Sequence, residues 1–313
     1  MSEINAGQLN QSVNPLGPLP SLSGKSQPSF LARVGYFLQM IDIGHSLFAL
    51  PFAYLGAFLA VGGLVSAYDF WWITLAMVAA RTAALCLNRL IDRHLDARNP
   101  RTANWILPQK LVPLGLVWAS VFVSFGLLFW SAAKLNPLCV KLAPLAVAVL
   151  VLYSYTKRFT WLCHLILGLA IGLGPLGAWI AITESFALTP VLIGLVVAFW
   201  IAGFDMMYAT QDEAFDRQEG LYSIPARFGI PATLKISASL HGLTVMLLTG
   251  VGVLQGLGWL YYVGVGIASV ILIYEHGLVT PNDLSKMHTA AFRLNRYVSL
   301  IIFGCTLADL LLI

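Results

Sequence analysis

Long apolar runs, separated by short connectors, constrain this chain more than any other feature. A run of about 20 apolar residues is what a ~30 Å hydrocarbon core requires. Such runs lie near 36–61, 70–91, 112–132, 137–156, 161–182, 188–210, 233–255, 257–279 and 291–312. Only 10% of the residues are charged and 58% are hydrophobic, whereas a soluble domain carries roughly 25% charged residues. In lipid, an open strand edge leaves backbone groups unsatisfied, so the runs are expected to be helices. The expected fold is all-α: a polytopic membrane protein of nine transmembrane helices. Residues 1–29 are rich in Ser, Pro, Gly, Asn and Gln and have little to bury, so a disordered cytoplasmic tail is expected. No basic segment with a short apolar run and a cleavage site opens the chain, so no secretory signal is expected. Residues 30–313 are expected to form a single transmembrane domain.

Charge placement sets an expected orientation. The connectors Gly62–Asp69, Ala133–Asn136, Thr183–Ala187 and Gly256–Leu257 hold almost no basic residues. Of 18 Lys and Arg residues, all but Lys134, Lys141 and the intraspan Arg81 fall in the amino-terminal segment or the other connectors and their flanks. The positive-inside rule then puts the amino terminus in the cytoplasm and the carboxyl terminus outside, in a bacterial inner membrane. A net charge of +4 distributed this way serves topology, not nucleic-acid binding. Cys86, Cys139, Cys163 and Cys305 are isolated in or beside apolar runs and are expected to be small core residues.

Two acidic segments carry the chemistry. The second run ends in Asn88-Arg-Leu-Ile-Asp92-Arg-His-Leu-Asp96, three oxygen-bearing residues four apart on one helix face. The sixth ends in Asp205-Met-Met-Tyr208-Ala-Thr-Gln-Asp212-Glu-Ala-Phe-Asp216, where Asp212 and Asp216 repeat the step. Their placement four spans apart, on one membrane face, suggests two four-helix pseudo-repeats plus a ninth helix. Acids crowded at a membrane boundary are costly unless neutralised. Hard Asp and Asn oxygens suit Mg²⁺, which takes substrate phosphate as a further ligand. Two such clusters facing each other could clamp a diphosphate and stabilise its departure. Either one alone reads equally well as a solvated loop.

These segments, with Tyr208-Ala-Thr-Gln-Asp212 and Ser223-Ile-Pro-Ala-Arg-Phe-Gly229, resemble the UbiA superfamily of intramembrane aromatic prenyltransferases over nearly the whole chain. The resemblance implies a helical bundle around a central cavity open sideways to lipid. It also implies Mg²⁺-dependent transfer of a polyprenyl group from polyprenyl diphosphate to an aromatic hydroxy acid, in quinone biosynthesis. The branch it points to prenylates 4-hydroxybenzoate or, in menaquinone synthesis, a hydroxynaphthoate; His45-Ser-Leu-Phe-Ala-Leu-Pro-Phe52 is similar to the latter. By the same resemblance Asn88, Asp92, Asp96, Asp212 and Asp216 hold the metal, and Arg81 takes the acceptor's carboxylate with Asp205 and Tyr208 nearby. Arg81 reads otherwise as an ion-pair partner of Asp205 or Asp212. Tyr153 and Lys157 match a tyrosine–lysine pair that faces the diphosphate, although Lys157 and Arg158 also fit positive-inside anchors. Arg227 either covers the diphosphate or contacts the lipid surface. Asn99-Pro-Arg-Thr102 is similar to a relative's loop, but Asn104-Trp105 replaces its usual downstream basic residue. That departure weakens the case for a phosphate-binding arginine in this loop.

Other polar residues have plainer readings. Asp42 and His45 are placed to pair within the first span, or to serve the acceptor end. His164 and His241 are expected to pack between helices. Trp71, Trp72, Trp259, Tyr261 and Tyr262 suit an interfacial belt. The rival function is a secondary transporter, which also uses internal repeats and intramembrane acids. A carrier would hold those acids at mid-membrane, whereas here they cluster at one face beside Lys and Arg.

Overall fold

A computed structural model of the chain describes residues 29–41 and 50–312. Residues 1–28 of the expected tail, the Asp42–His45 pair and most of the His45–Phe52 stretch fall outside the described residues. The described residues are helical throughout, apart from turns and one isolated bridge between Thr280 and Asp283. The long helices are α3 (Ala67–Arg98), α4 (Leu114–Leu135), α6 (Cys163–Thr183), α7 (Leu188–Ala209), α10 (Ile230–Gln255), α11 (Trp259–Gly277) and α12 (Asn295–Leu312). The shorter ones are α1 (Phe30–Met40), α2 (Leu50–Val61), α5 (Pro137–Tyr153), α8 (Glu213–Gln218) and α9 (Ile224–Phe228).

Seven segments are long and apolar enough to cross a membrane. They are α3, α4, α6, α7 with its continuation to Gln218, α10, α11, and α12 with the turn from Thr289 that leads into it. The apolar helices α2 and α5, with 12 and 17 residues, are shorter. The run expected over 36–61 contains two described helices, α1 and α2, on either side of residues 42–49. Large apolar side chains such as Phe122, Met246, Val253 and Ile273 point outward and exposed, the surface a lipid-embedded bundle presents.

Helices meet closely where small residues permit it. A Cβ on Gly168 of α6 would lie 2.1 Å from the Ala198 carbonyl oxygen of α7, and one on Gly172 would lie 2.4 Å from that of Gly194. The α6–α7 backbones are thus in contact, the kind of packing that joins helices where no hydrophobic drive separates side chain from solvent.

The core has two large parts. One gathers Phe52, Trp200, Leu248, Tyr261, Leu272 and Ile302 from α2, α7, α10, α11 and α12. The other joins Met40 of α1 and Leu87 and Leu90 of α3 to Val117 of α4, with Ile106 and Leu111 of the α3–α4 connector between them. That connector is therefore pinned by its own apolar side chains against the end of α3.

Candidate active site

Helix α3 has 32 residues, about 48 Å at 1.5 Å per residue, which outruns a ~30 Å core. Its last turns carry Asn88, Asp92 and Asp96 on one face, straddling the point near residue 91 where the expected span ends. Asn88 Nδ2 donates to Asp92 Oδ2 at 3.1 Å. Asp92 is 4% exposed, so its charge needs a partner, and Arg158 supplies it. Arg158 belongs to a 3₁₀ turn, Thr156–Arg158, after α5. Its Nη2 donates to Asp92 Oδ1 at 2.8 Å and to the Ile91 carbonyl at 3.1 Å, while Nη1 donates to the Ser154 carbonyl at 2.9 Å.

The second acidic segment is not one continuous helix. Helix α7 stops at Ala209, a 3₁₀ turn covers Thr210–Asp212, and α8 starts at Glu213. The Thr210 hydroxyl donates to the Met207 carbonyl at 2.6 Å, a local bond that competes with the helical ladder. Asp212 meets the α3–α4 connector. Asn99 Nδ2 and Arg101 Nε each donate to Asp212 Oδ1 at 2.8 Å, and Arg101 Nη2 donates to Asp212 Oδ2. Arg101 Nη1 donates to the Tyr208 hydroxyl at 3.1 Å. The connector holds this pose through the bond from Thr102 Oγ1 to the Asp96 carbonyl (2.8 Å) and the bond from the Arg101 N–H to Asn99 Oδ1 (2.9 Å). The Arg89 guanidinium stacks on Trp105 at 3.9 Å.

The two segments line one cavity of about 180 Å³ at one end of the bundle. Asn88, Asp92, Asp96, Asp212 and Asp216 all reach it, as do Tyr153, Lys157, Asp205 and Tyr208. His164 Nδ1 sits 2.7 Å from Asp205 Oδ2. Two buried atoms on its wall, Asp96 Oδ2 and His164 Nε2, have no hydrogen-bond partner among the described residues; Arg89, the cation beside Asp96, stands 3.8 Å away. Burial works against the Lys157 ammonium, but the carboxylates of Asp92, Asp216 and Asp212 more than offset it. Its pKa is held above the ordinary lysine value, so it stays charged. Burial opposes the Arg101 guanidinium in the same way, and Asp212 overrides it.

Two expected residues lie elsewhere. Arg81, two turns before Asn88 on α3, is half-buried and does not line the cavity; Arg227 on α9 is exposed and does not line it either. Conversely, Arg101, from the Asn99-Pro-Arg-Thr102 loop whose case for a phosphate-binding arginine was weakened by Asn104-Trp105, lines the cavity and bonds Asp212. His164, expected only to pack, is buried and also pairs with Asp205.

The UbiA prenyltransferase family model matches residues 49–297. The chain belongs to the UbiA prenyltransferase family. It is 31% identical to 4-hydroxybenzoate octaprenyltransferases of Citrobacter koseri and Salmonella paratyphi B, over 74% of this chain and 81% of each relative. These relatives place it on the aromatic polyprenyltransferase branch, and it is a multi-pass membrane enzyme of that class. Among solved structures, a UbiA homolog from Aeropyrum pernix K1 is 32% identical and superposes with a TM-score of 0.78, over 86% of this chain and 99% of that one. A UbiA homolog from Archaeoglobus fulgidus bound to DMAPP and Mg²⁺ shares the fold at a TM-score of 0.59 and 20% identity, over 85% of this chain and 99% of that one.

Proposed function

We propose that this UbiA-family enzyme transfers a polyprenyl group from polyprenyl diphosphate to an aromatic hydroxy acid, 4-hydroxybenzoate or a related hydroxynaphthoate, in a Mg²⁺-dependent reaction. The observation that carries the reading is the meeting of Asp92, Asp96, Asp212 and Asp216 in one cavity with Lys157 and Arg101 at its wall, and with Arg158 bonded to Asp92 from behind. The A. fulgidus homolog bound to DMAPP and Mg²⁺ and the C. koseri relative's 4-hydroxybenzoate name support the choice of substrates and metal.

The donor set fits a magnesium ion. Carboxylate and amide oxygens dominate it, Asp96 Oδ2 is buried with no hydrogen-bond partner among the described residues, and Mg²⁺ favours one or two carboxylates completed by phosphate oxygens. Asn88, Asp92, Asp96, Asp212 and Asp216 would hold it. Bound there, Mg²⁺ would neutralise the charge that builds on the diphosphate as it leaves.

The chain's own groups account for the rest. Lys157, held charged, faces the diphosphate beside Tyr153. Arg101 is bonded only to side chains and to its own connector, so an incoming diphosphate offers it an alternative bidentate anion. The prenyl carbon–oxygen bond breaks and a bond forms to the ring carbon beside the acceptor's hydroxyl. The ring then loses a proton and regains aromaticity. Arg81, deeper on α3, takes the acceptor's carboxylate, with Asp205 and Tyr208 at that end; Asp205 is oriented by His164. Apolar walls exclude water that would capture the allylic cation. The bundle comprises nine transmembrane helices in two four-helix pseudo-repeats plus a ninth, within a single domain over 30–313, with the amino terminus on the cytoplasmic side of a bacterial inner membrane. The carrier reading has no support from the relatives.

The test is incubation of membranes containing the enzyme with labelled polyprenyl diphosphate and 4-hydroxybenzoate or a hydroxynaphthoate. Mass spectrometry of the product should show a ring-prenylated acid that forms with Mg²⁺ and not with EDTA. Label that crosses the membrane without any prenylated acid would overturn the reading.

A further inference from the structure

A second polar cluster lies outside the cavity, between α10, α11 and the entry to α12. His241 sits midway along α10, and Glu275 and His276 are adjacent near the end of α11. Neighbouring residues on a helix point about 100° apart, yet both reach His241. His276 Nε2 lies 2.9 Å from His241 Nδ1, Glu275 Oε1 lies 3.0 Å from the same nitrogen, and His276 Nε2 and Glu275 Oε1 are 3.9 Å apart. Ligand atoms about 2 Å from a tetrahedral metal stand roughly 3.3 Å from one another, and this triangle brackets that spacing.

The three ligand atoms converge. His241 Nε2 donates to the Trp200 carbonyl at 3.2 Å, which can only accept, and this holds the ring so that Nδ1 faces both Glu275 Oε1 and His276 Nε2. Glu275 is 0% exposed, and its Oε1 has no hydrogen-bond partner among the described residues despite the short distance to Nδ1. A carboxylate so deeply buried costs several kcal/mol unless a positive charge faces it.

The surroundings hold the three groups as a ligand set is held. Asn295 Nδ2 donates to Glu275 Oε2 at 2.7 Å, and Trp200 Nε1 donates to Asn295 Oδ1 at 2.5 Å. Trp200 thus fixes the imidazole through its carbonyl and the carboxylate through its indole. Outer bonds of this kind orient metal-binding His and Glu side chains. A Cβ on Gly203 of α7 would lie 2.3 Å from His241 Nε2, so the ring is seated where only glycine leaves room. His276 is the open side of the cluster, with its side chain 18% exposed against 2% for His241.

We propose that His241, Glu275 and His276 form a second metal site, for a borderline divalent cation of the zinc class, that ties α10 to α11. Two imidazoles and one carboxylate suit Zn²⁺, with a water on the His276 side as fourth ligand, whereas the carboxylate-rich cavity suits Mg²⁺. The site is independent of the prenyl-transfer reading.

The experiment uses the full chain purified in detergent, with Zn²⁺ alone and Co²⁺ as a coloured stand-in. Asp212→Ala serves as a background in which the cavity is impaired for metal. Expected are about one tightly held zinc per chain in wild type and in Asp212→Ala, nitrogen-ligated Co²⁺ absorption, and a rise in Tm on zinc addition. His276→Ala should lose the bound zinc, and Asn295→Ala should weaken it about 10- to 100-fold. Wild type that retains no zinc and gives no such Co²⁺ spectrum, or His276→Ala that retains as much as wild type, would mean a proton-sharing network only and would overturn the proposal. If His276→Ala fails to fold, the wild-type zinc content and Co²⁺ spectrum decide.

Discussion

Asp92 and Asp212 occupy matching places in the two acidic segments, and an arginine from a distant connector clamps each one. The clamps are built differently. Arg158 holds Asp92 with one guanidinium nitrogen and spends its other bonds on the carbonyls of Ile91 and Ser154, so it also caps the end of α5 and ties it to α3. Arg101 holds Asp212 bidentately, and its remaining bond goes to the Tyr208 hydroxyl. One arginine is tied to backbone and the other only to side chains. The difference separates a brace between the end of α5 and α3 from an arginine held by side chains alone, the one proposed above to exchange a carboxylate for a phosphate.

The largest effect should come from the acids themselves. Asp212→Ala is expected to lower kcat about 1000-fold or more, the range lost when electrostatic stabilisation of a leaving anion is removed. The protein should still be inserted in membranes. Asp92→Ala should do the same and also leave Arg158 unpaired, with a further stability loss of about 3 kcal/mol visible as a lower Tm. Radiolabelled product formation and a thermal melt in detergent read the two effects separately. Full turnover in either variant would remove the metal role.

Arg101→Ala should come next. It should lower kcat/KM for the diphosphate about 100-fold with a Tm loss smaller than that of Arg158→Ala, since Asn99 and Lys157 still face Asp212, and Arg101→Lys should recover only part, since a lysine cannot bind bidentately. Arg158→Ala should reverse that pattern, with a stability loss of about 2 kcal/mol from the lost bond to the Ser154 carbonyl and an unpaired acid and less than about a tenfold loss of turnover at low temperature. Equal Tm losses in the two variants would erase the distinction between brace and ligand.

These clamps also mark where the sequence stopped being legible. The apolar runs and the four-residue steps Asn88–Asp92–Asp96 and Asp212–Asp216 are local patterns, and each reappears as a helix or at a helix end. The arginine partners are 66 residues from Asp92 and 111 from Asp212, and no periodicity within a helix encodes a pairing at that range. The break at Thr210 was hidden for a related reason: a hydroxyl bonding its own preceding turn leaves the apolar pattern of α7 unchanged. The same holds for His241, expected to pack, whose partners on α11 are visible only once the helices are assembled.

Lys157 gives a pH test of the shared charge in the cavity. Its folded pKa lies above the ordinary lysine value because Asp92, Asp216 and Asp212 offset the penalty of burial. A raised folded value means that the stabilisation is complete below the ordinary lysine pKa and is lost only as pH climbs through the higher one. Activity and Tm should therefore show no Lys157-dependent step at neutral or mildly alkaline pH. A step there that disappears in Lys157→Met would place the folded pKa below the ordinary value and break the charge balance described for the cavity.

The smallest effect is expected at Arg227. It is exposed on α9 and does not line the cavity, while Arg101 already supplies a guanidinium at the Asp212 side. If Arg227 only meets the lipid surface, Arg227→Ala should change kcat/KM for the diphosphate less than about twofold, in keeping with surface ion contacts worth well under 1 kcal/mol. A tenfold rise in KM for the diphosphate, with the acceptor KM unchanged, would instead mean that α9 moves over the cavity when substrate binds. The Asp212 half of the site would then carry two movable arginines against the single fixed one beside Asp92, and the asymmetry between the halves would be deeper than the clamps alone indicate.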